Sequence, residues 1–206
     1  MATVPAMADE LPNPENPNAQ LAISKSVEDP GPYGPGDTIV YTVEVGCSAI
    51  DVGVDCSDAI TTDVVPEPLE VRQVTPSGPN SAAEPEIDGR NIRVDWTEPL
   101  DAGGEGMVNN TTSQVQITVQ VPEDLNHDQW DGATLTNTAT AEATNANDTQ
   151  PATADVTLAI PLELATTATK SFEPTSALAA AGTPVTAHLG GTNETNGAVE
   201  TLVVQD

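Results

Sequence analysis

The chain has 206 residues, enough for one domain and a remainder, and 5 Lys and Arg against 32 Asp and Glu give it a formal net charge of −27. That charge excludes nucleic acid and anionic membrane surfaces as partners, because phosphate binding needs a basic surface, and no apolar run approaches the ~18 residues that membrane insertion of this segment would need. Only 2% of the residues are aromatic, and Val, Ile, Thr and Ala dominate instead, which favours strands over helices.

Residues 1–19 read as a disordered N-terminus. Within it, Ala6-Met7-Ala8 before Asp9 has the small-x-small form of a signal-peptidase site. No basic or apolar stretch precedes it, so the expectation is the tail of a secretory signal, with an ordinary Ala-rich N-terminus as the alternative.

Period-two alternation begins at residue 21. Leu21, Ile23, Lys25 and Val27 share one face of a strand; Ile39, Tyr41, Val43 and Val45 share one face of the next. Between them, Asp29 to Asp37 is too rich in Pro and Gly for a helix and marks a tight connection. Cys47 and Cys56, nine residues apart, flank an acidic, Gly-containing loop able to fold back on itself. A disulfide there would contribute about 2–3 kcal/mol on the chain-entropy model and implies an oxidising compartment. With no further Cys or His suitably spaced, neither a metal site nor a cofactor is expected.

Asp58 to Val65 and a short stretch around Leu69 and Val71 are the next strand candidates. Ile92, Val94 and Trp96 then alternate with polar residues, and Val115, Ile117, Val119 and Val121 do so most cleanly of all. Leu135, Asn137, Ala139 and Ala141 alternate with threonines, and Val156, Leu158 and Ile160 close the set. Strands without helical periodicity over residues 20–160 predict an all-β chain, an immunoglobulin-like antiparallel β-sandwich. The Asn126 to Gly132 stretch reads as a polar turn rather than a calcium loop, lacking the spacing and the closing Glu. Asp51, Asp55 and Asp58 read as solvated acids, His127 and His188 as surface histidines, and the Asn-x-Thr sequons at Asn109, Asn110, Asn147 and Asn193 as motifs that Thr-rich sequence produces by chance.

After Ile160 the pattern restarts. Ala168 to Pro174 echoes Ile23 to Pro30, and Gly182-Thr183-Pro184-Val185 stands where Gly36-Asp37-Thr38-Ile39 stood. Residues 161–206 are therefore expected to hold a linker, over 161–167, and the first half of a second sandwich repeat in a tandem array.

The two lysines of the chain, Lys25 and Lys170, occupy the same place in the two copies, each on the apolar parity of its strand. A lysine facing a core is costly unless it is paired or neutral. Asn137 is equally out of place between Leu135 and Ala139. Three arrangements would reconcile them: a buried hydrogen bond, a salt bridge through a nearby Asp, or a covalent amide between the lysine amine and the asparagine carboxamide.

Ile23-Ser24-Lys25-Ser26, Pro35-Gly36-Asp37-Thr38-Ile39-Val40-Tyr41-Thr42-Val43, Thr62-Asp63-Val64-Val65-Pro66 and Leu135-Thr136-Asn137-Thr138-Ala139 together resemble the conserved repeat domain of prokaryotic surface proteins known as domain of unknown function eleven. That domain is similar to collagen-adhesin and pilin sandwiches in which a first-strand lysine joins a late-strand asparagine in a spontaneous isopeptide bond, assisted by a buried acid. The resemblance implies Lys25 as nucleophile, Asn137 as acceptor and Asp63 as the assisting acid, with Lys170 and Asp206 as their second-copy counterparts. Alternation alone does not fix which face of its strand Asp63 occupies. The reaction is self-processing, and no Ser-His-Asp set, phosphate loop or carboxylate pair points to an enzyme.

The expected function is a structural module of an extracellular prokaryotic stalk or adhesin, on the cell surface or in the cell wall, with neighbouring repeats of the same chain as partners. Recognition of a host protein or glycan by the sandwich loops is a second reading, against which the scarcity of Trp and Tyr counts. A noncatalytic spacer in a large secreted enzyme is a third.

Overall fold

Side chains that alternate between β-branched and polar bury one face of each strand, and two such sheets can close over a common interior. The computed structural model, which describes residues 18–49, 54–80, 82, 84–96, 106–173, 175–176, 182 and 184–205, has this architecture. Nine strands build a sandwich: β1 (Ala19–Val27), β2 (Thr38–Ala49), β3 (Ile60–Val64), β4 (Glu70–Ser77), β5 (Glu86–Asp88), β6 (Asn91–Asp95), β7 (Thr111–Gln120), β8 (Thr134–Glu142) and β9 (Ala152–Thr157). One sheet runs β1-β2-β7-β4 and the other β5-β6-β3-β8-β9, with every named pairing antiparallel. The fold is thus the expected immunoglobulin-like β-sandwich.

The core lies between the sheets. From the first sheet come Ile39, Tyr41, Val43 and Val45 of β2 with Val115, Ile117 and Val119 of β7; from the second come Ile92 and Val94 of β6, Ala139 and Ala141 of β8, and Trp96. Trp96 donates its indole N–H to Thr61 Oγ1 at 2.9 Å, so the largest buried ring also has its polar atom satisfied. On β4 the register shifts between Val71 and Gln73, and the bulge turns Arg72 outward onto Gln120 and Glu70.

Cys47 and Cys56 are disulfide-bonded with their Cα atoms 6.0 Å apart, as the spacing predicted. The bridge ties the end of β2 to the segment that leads into β3, and Cys56 also exchanges two backbone hydrogen bonds with Met107. Gly106 makes that approach possible, because at φ +102° its Cβ would lie 2.0 Å from the Cys56 carbonyl oxygen.

Two elements depart from the sequence expectation. Residues His127–Trp130 form a single helical turn, α1, whose Asn126 side chain caps the Gln129 N–H, where a polar turn was expected. The three-residue strand β5 was not foreseen, since all its residues are exposed and carry no alternation.

Beyond residue 160, β10 (Thr166–Glu173) and β11 (Thr186–Asn193) form a separate two-stranded antiparallel sheet. It reproduces the β1–β2 hairpin, with Lys25 opposite Val43 in one and Lys170 opposite Leu189 in the other. Residues 1–17, with the expected signal remnant, and Asp51 and Asp206 lie outside the described residues.

Candidate functional site

The site is made by three strands from both sheets. β1 is an edge strand of the first sheet and lies across from β8 and β9 of the second. Its inward parity carries Lys25 toward the interior, and none of the Lys25 side chain is exposed. On β3, Thr61 and Asp63 point inward while Val64, at 56% exposure, points to solvent. This settles the face of Asp63, which alternation had left open. On β8, Asn137 takes the inward place between Leu135 and Ala139 and is completely buried. Since β3 pairs with β8 at Asp63↔Ala139, the acid and the amide are set two register positions apart on the same inner face.

Lys25 Nζ is in direct contact with Asp63 Oδ2 and sits 5.2 Å from the centroid of the Tyr41 ring. Burial pulls the Lys25 amine below the ordinary lysine range, only partly opposed by the charge and hydrogen bond of Asp63. Burial likewise pushes the Asp63 carboxyl upward, against the opposing pull of Lys25 and, more weakly, of Asn137. Both directions favour the neutral forms, an amine and a carboxylic acid sharing one proton. The Tyr41 hydroxyl is pushed up too, by burial first and then by the Asp63 charge.

Although Asn137 is near enough to bear on the Asp63 carboxyl, its Oδ1 and Nδ2 both lack a well-formed hydrogen bond, as do Asp63 Oδ1 and the Tyr41 hydroxyl. An unsatisfied buried polar atom costs about 1–3 kcal/mol, so this cluster is an energetic liability as it stands. The buried Asn80, by contrast, is well served. Asn80 Oδ1 accepts from the Val108 N–H, and its Nδ2 donates to Thr111 Oγ1 and Ser113 Oγ at 2.9 and 2.8 Å.

The structure therefore brings Lys25, Asp63 and Asn137 together. Lys170, by contrast, lies on an exposed strand with its Nζ 5.1 Å from the Phe172 ring centroid. Tyr41 is the member of the site that sequence reading placed in the core without a role. Its position opposite Val27, two pairs from Lys25↔Val43, follows only once the β1–β2 register is known. Of the weaker signals, Asp55 and Asp58 are engaged in the fold, accepting from the Asn109 N–H and the Thr144 hydroxyl, rather than standing free in solvent.

No family model and no curated protein matches the chain. Solved structures with a similar chain path include the RrgB pilus protein of Streptococcus pneumoniae (13% identity, TM-score 0.46, 62% of this chain and 24% of that one). Another is BcpA, the major pilin subunit of Bacillus cereus (15% identity, TM-score 0.48, 86% of this chain and 56% of that one). A third is the major pilin SpaD of Corynebacterium diphtheriae (13% identity, TM-score 0.46, 73% of this chain and 36% of that one). The chain thus spans from about a quarter to just over half the length of these proteins, and the likeness is one of fold.

Proposed function

We propose that this chain is a structural module of an extracellular prokaryotic surface stalk or adhesin, stiffened by a self-formed isopeptide bond between Lys25 and Asn137. The observation that carries the reading is the buried Lys25–Asp63 contact beside an Asn137 amide whose polar atoms have no good partner. In the reaction the neutral Lys25 amine attacks Asn137 Cγ while Asp63, as the acid, hydrogen-bonds Oδ1 and takes up the developing negative charge. The Nζ–Cγ bond forms, the Cγ–Nδ2 bond breaks, and Nδ2 leaves as ammonia with protons relayed through Asp63. Fixed proximity in a packed core supplies most of the acceleration.

The product would resolve the liabilities of Asn137 and Asp63 in the unreacted site. Nδ2 is gone, the amide carbonyl accepts from the Asp63 carboxyl, and the new amide N–H donates to its other oxygen. Residues on facing sheets are then joined covalently, closing a loop of over a hundred residues that the chain-entropy model values at about 5 kcal/mol.

Tension entering at the start of β1 would cross at Lys25 to β8 and leave through β9, bypassing β2 to β7. Single-molecule pulling on the full chain tests this role. The native protein is expected to show no unfolding step for residues 26–136, whereas Lys25→Ala releases roughly 35–40 nm of chain at up to ~3.6 Å per residue. A native chain that extends as far as the variant would overturn the reading.

A further inference from the structure

Two units joined by a short linker move relative to one another by default unless a specific interface holds them. Here the segment after β11 returns to the sandwich and is held there. Asn196 spends all three of its remaining polar groups on the junction. Its carbonyl accepts from the His127 N–H at 2.8 Å, its Oδ1 accepts from the Glu163 N–H at 2.9 Å, and its Nδ2 donates to the Pro161 carbonyl at 3.0 Å. The Ala198 N–H donates to Asp128 Oδ2 at 2.6 Å.

Gly197 is buried although the strands before it are almost wholly exposed, and a Cβ added there would lie 2.8 Å from Leu162 Cδ1 and 3.2 Å from Asp128 Oδ1. The linker is gripped from its other side as well. His127 Nδ1 donates to the Ile160 carbonyl at 2.6 Å, which can only accept, and Asp131 Oδ1 accepts from the Ile160 N–H at 2.9 Å. Thus α1, the linker and the turn after β11 share one hydrogen-bonded knot.

We infer that the Asn196-Gly197 turn is a joint that locks the C-terminal hairpin unit onto the α1 pole of the sandwich in one orientation. Its partner surface is His127, Asp128 and the linker backbone from Pro161 to Glu163. This is independent of the Lys25–Asn137 bond, which lies inside the sandwich, so either can fail without the other. It accounts for α1, whose first two residues hydrogen-bond to the second unit through the His127 N–H and Asp128 Oδ2.

The test uses the full chain with nitroxide labels at Val64→Cys and His188→Cys, two exposed positions on the two units, with the native disulfide left intact. Pulsed electron–electron resonance is expected to give one narrow distance distribution, broadening about twofold or more in Asn196→Ala and in Gly197→Val as default interunit motion returns. An exposed control, Glu200→Ala, should leave it narrow. A label-free reading comes from amide exchange, in which His127 and Glu163 N–H groups are protected in the native chain and lose protection in Asn196→Ala. A broad native distribution, unprotected His127 and Glu163 amides, or variants as narrow as the native chain would each overturn the joint.

Discussion

Burial shifts the pKa values of Lys25 and Asp63 in opposite directions, and this fixes how pH acts on the proposed cross-link. The lowered pKa of Lys25 supplies neutral amine at a pH where an ordinary lysine is charged, and acidification through that pKa removes the nucleophile. The raised pKa of Asp63 preserves the acid where an ordinary aspartate is ionised, and rising pH through that pKa removes the proton donor. The rate of ammonia loss is therefore expected to be bell-shaped in pH, falling on both sides. Chain held in denaturant from synthesis and then diluted at a series of pH values, with mass followed in time, checks this; a monotonic profile would show that one of the two groups is not titrating as described. Lys25→Ala and Asn137→Ala each remove the loop closure, worth about 5 kcal/mol, and should lower Tm by about 10–20 °C for a domain of this size. At this scale Lys25 and Asn137 were legible because each breaks the apolar parity of its strand. The face of Asp63 and the part of Tyr41 were not, since both depend on which strands lie opposite, a long-range fact that local alternation does not contain.

The strands of the sandwich were legible wherever one face is buried and the other wet, as in β2, β7 and β8. Where that contrast is missing, so is the signal. β5 is exposed throughout, and α1 is one turn without a buried residue, formed by its cap and its contacts to the second unit rather than by propensity. Asn80 is a further element-scale feature that sequence reading passed over, because a lone Asn in a loop carries no pattern. It ties the segment after β4 to the start of β7 through Val108, Thr111 and Ser113. Asn80→Ala should cost about 2–4 kcal/mol by leaving several buried groups unpaired, read as a fall in denaturant midpoint; a change within about 0.5 kcal/mol would mean that water replaces the side chain. Reduction of Cys47–Cys56 should cost about 2–3 kcal/mol, measurable by the same titration with and without reductant.

At the scale of the whole molecule, a net charge of −27 sets the environment in which the fold works. Self-repulsion on this scale destabilises the compact state, and salt screens it. Thermal unfolding should accordingly shift upward by several degrees between roughly 0.05 and 1 M NaCl, whereas a downward shift would mean that local ion pairs such as Arg93–Asp95 outweigh the repulsion. Ala168 to Pro174 echoes Ile23 to Pro30 in sequence, and the β10–β11 hairpin reproduces the register of β1–β2. Its large apolar residues stay half-exposed among the described residues, Phe172 at 47% and Leu189 at 45%. The joint at Asn196 was not legible, because its partners are backbone groups that any sequence possesses.

The central claim is the covalent bond, and the intact mass of the full chain after reduction tests it most directly. A mass about 17 Da below that of the sequence, the loss of one ammonia that accompanies proximity-driven amide formation, and a return to sequence mass in Lys25→Ala and in Asn137→Ala are predicted. An unmodified native mass would contradict the account, leaving Lys25 and Asp63 as a buried noncovalent pair and the chain as a sandwich that tension can unfold.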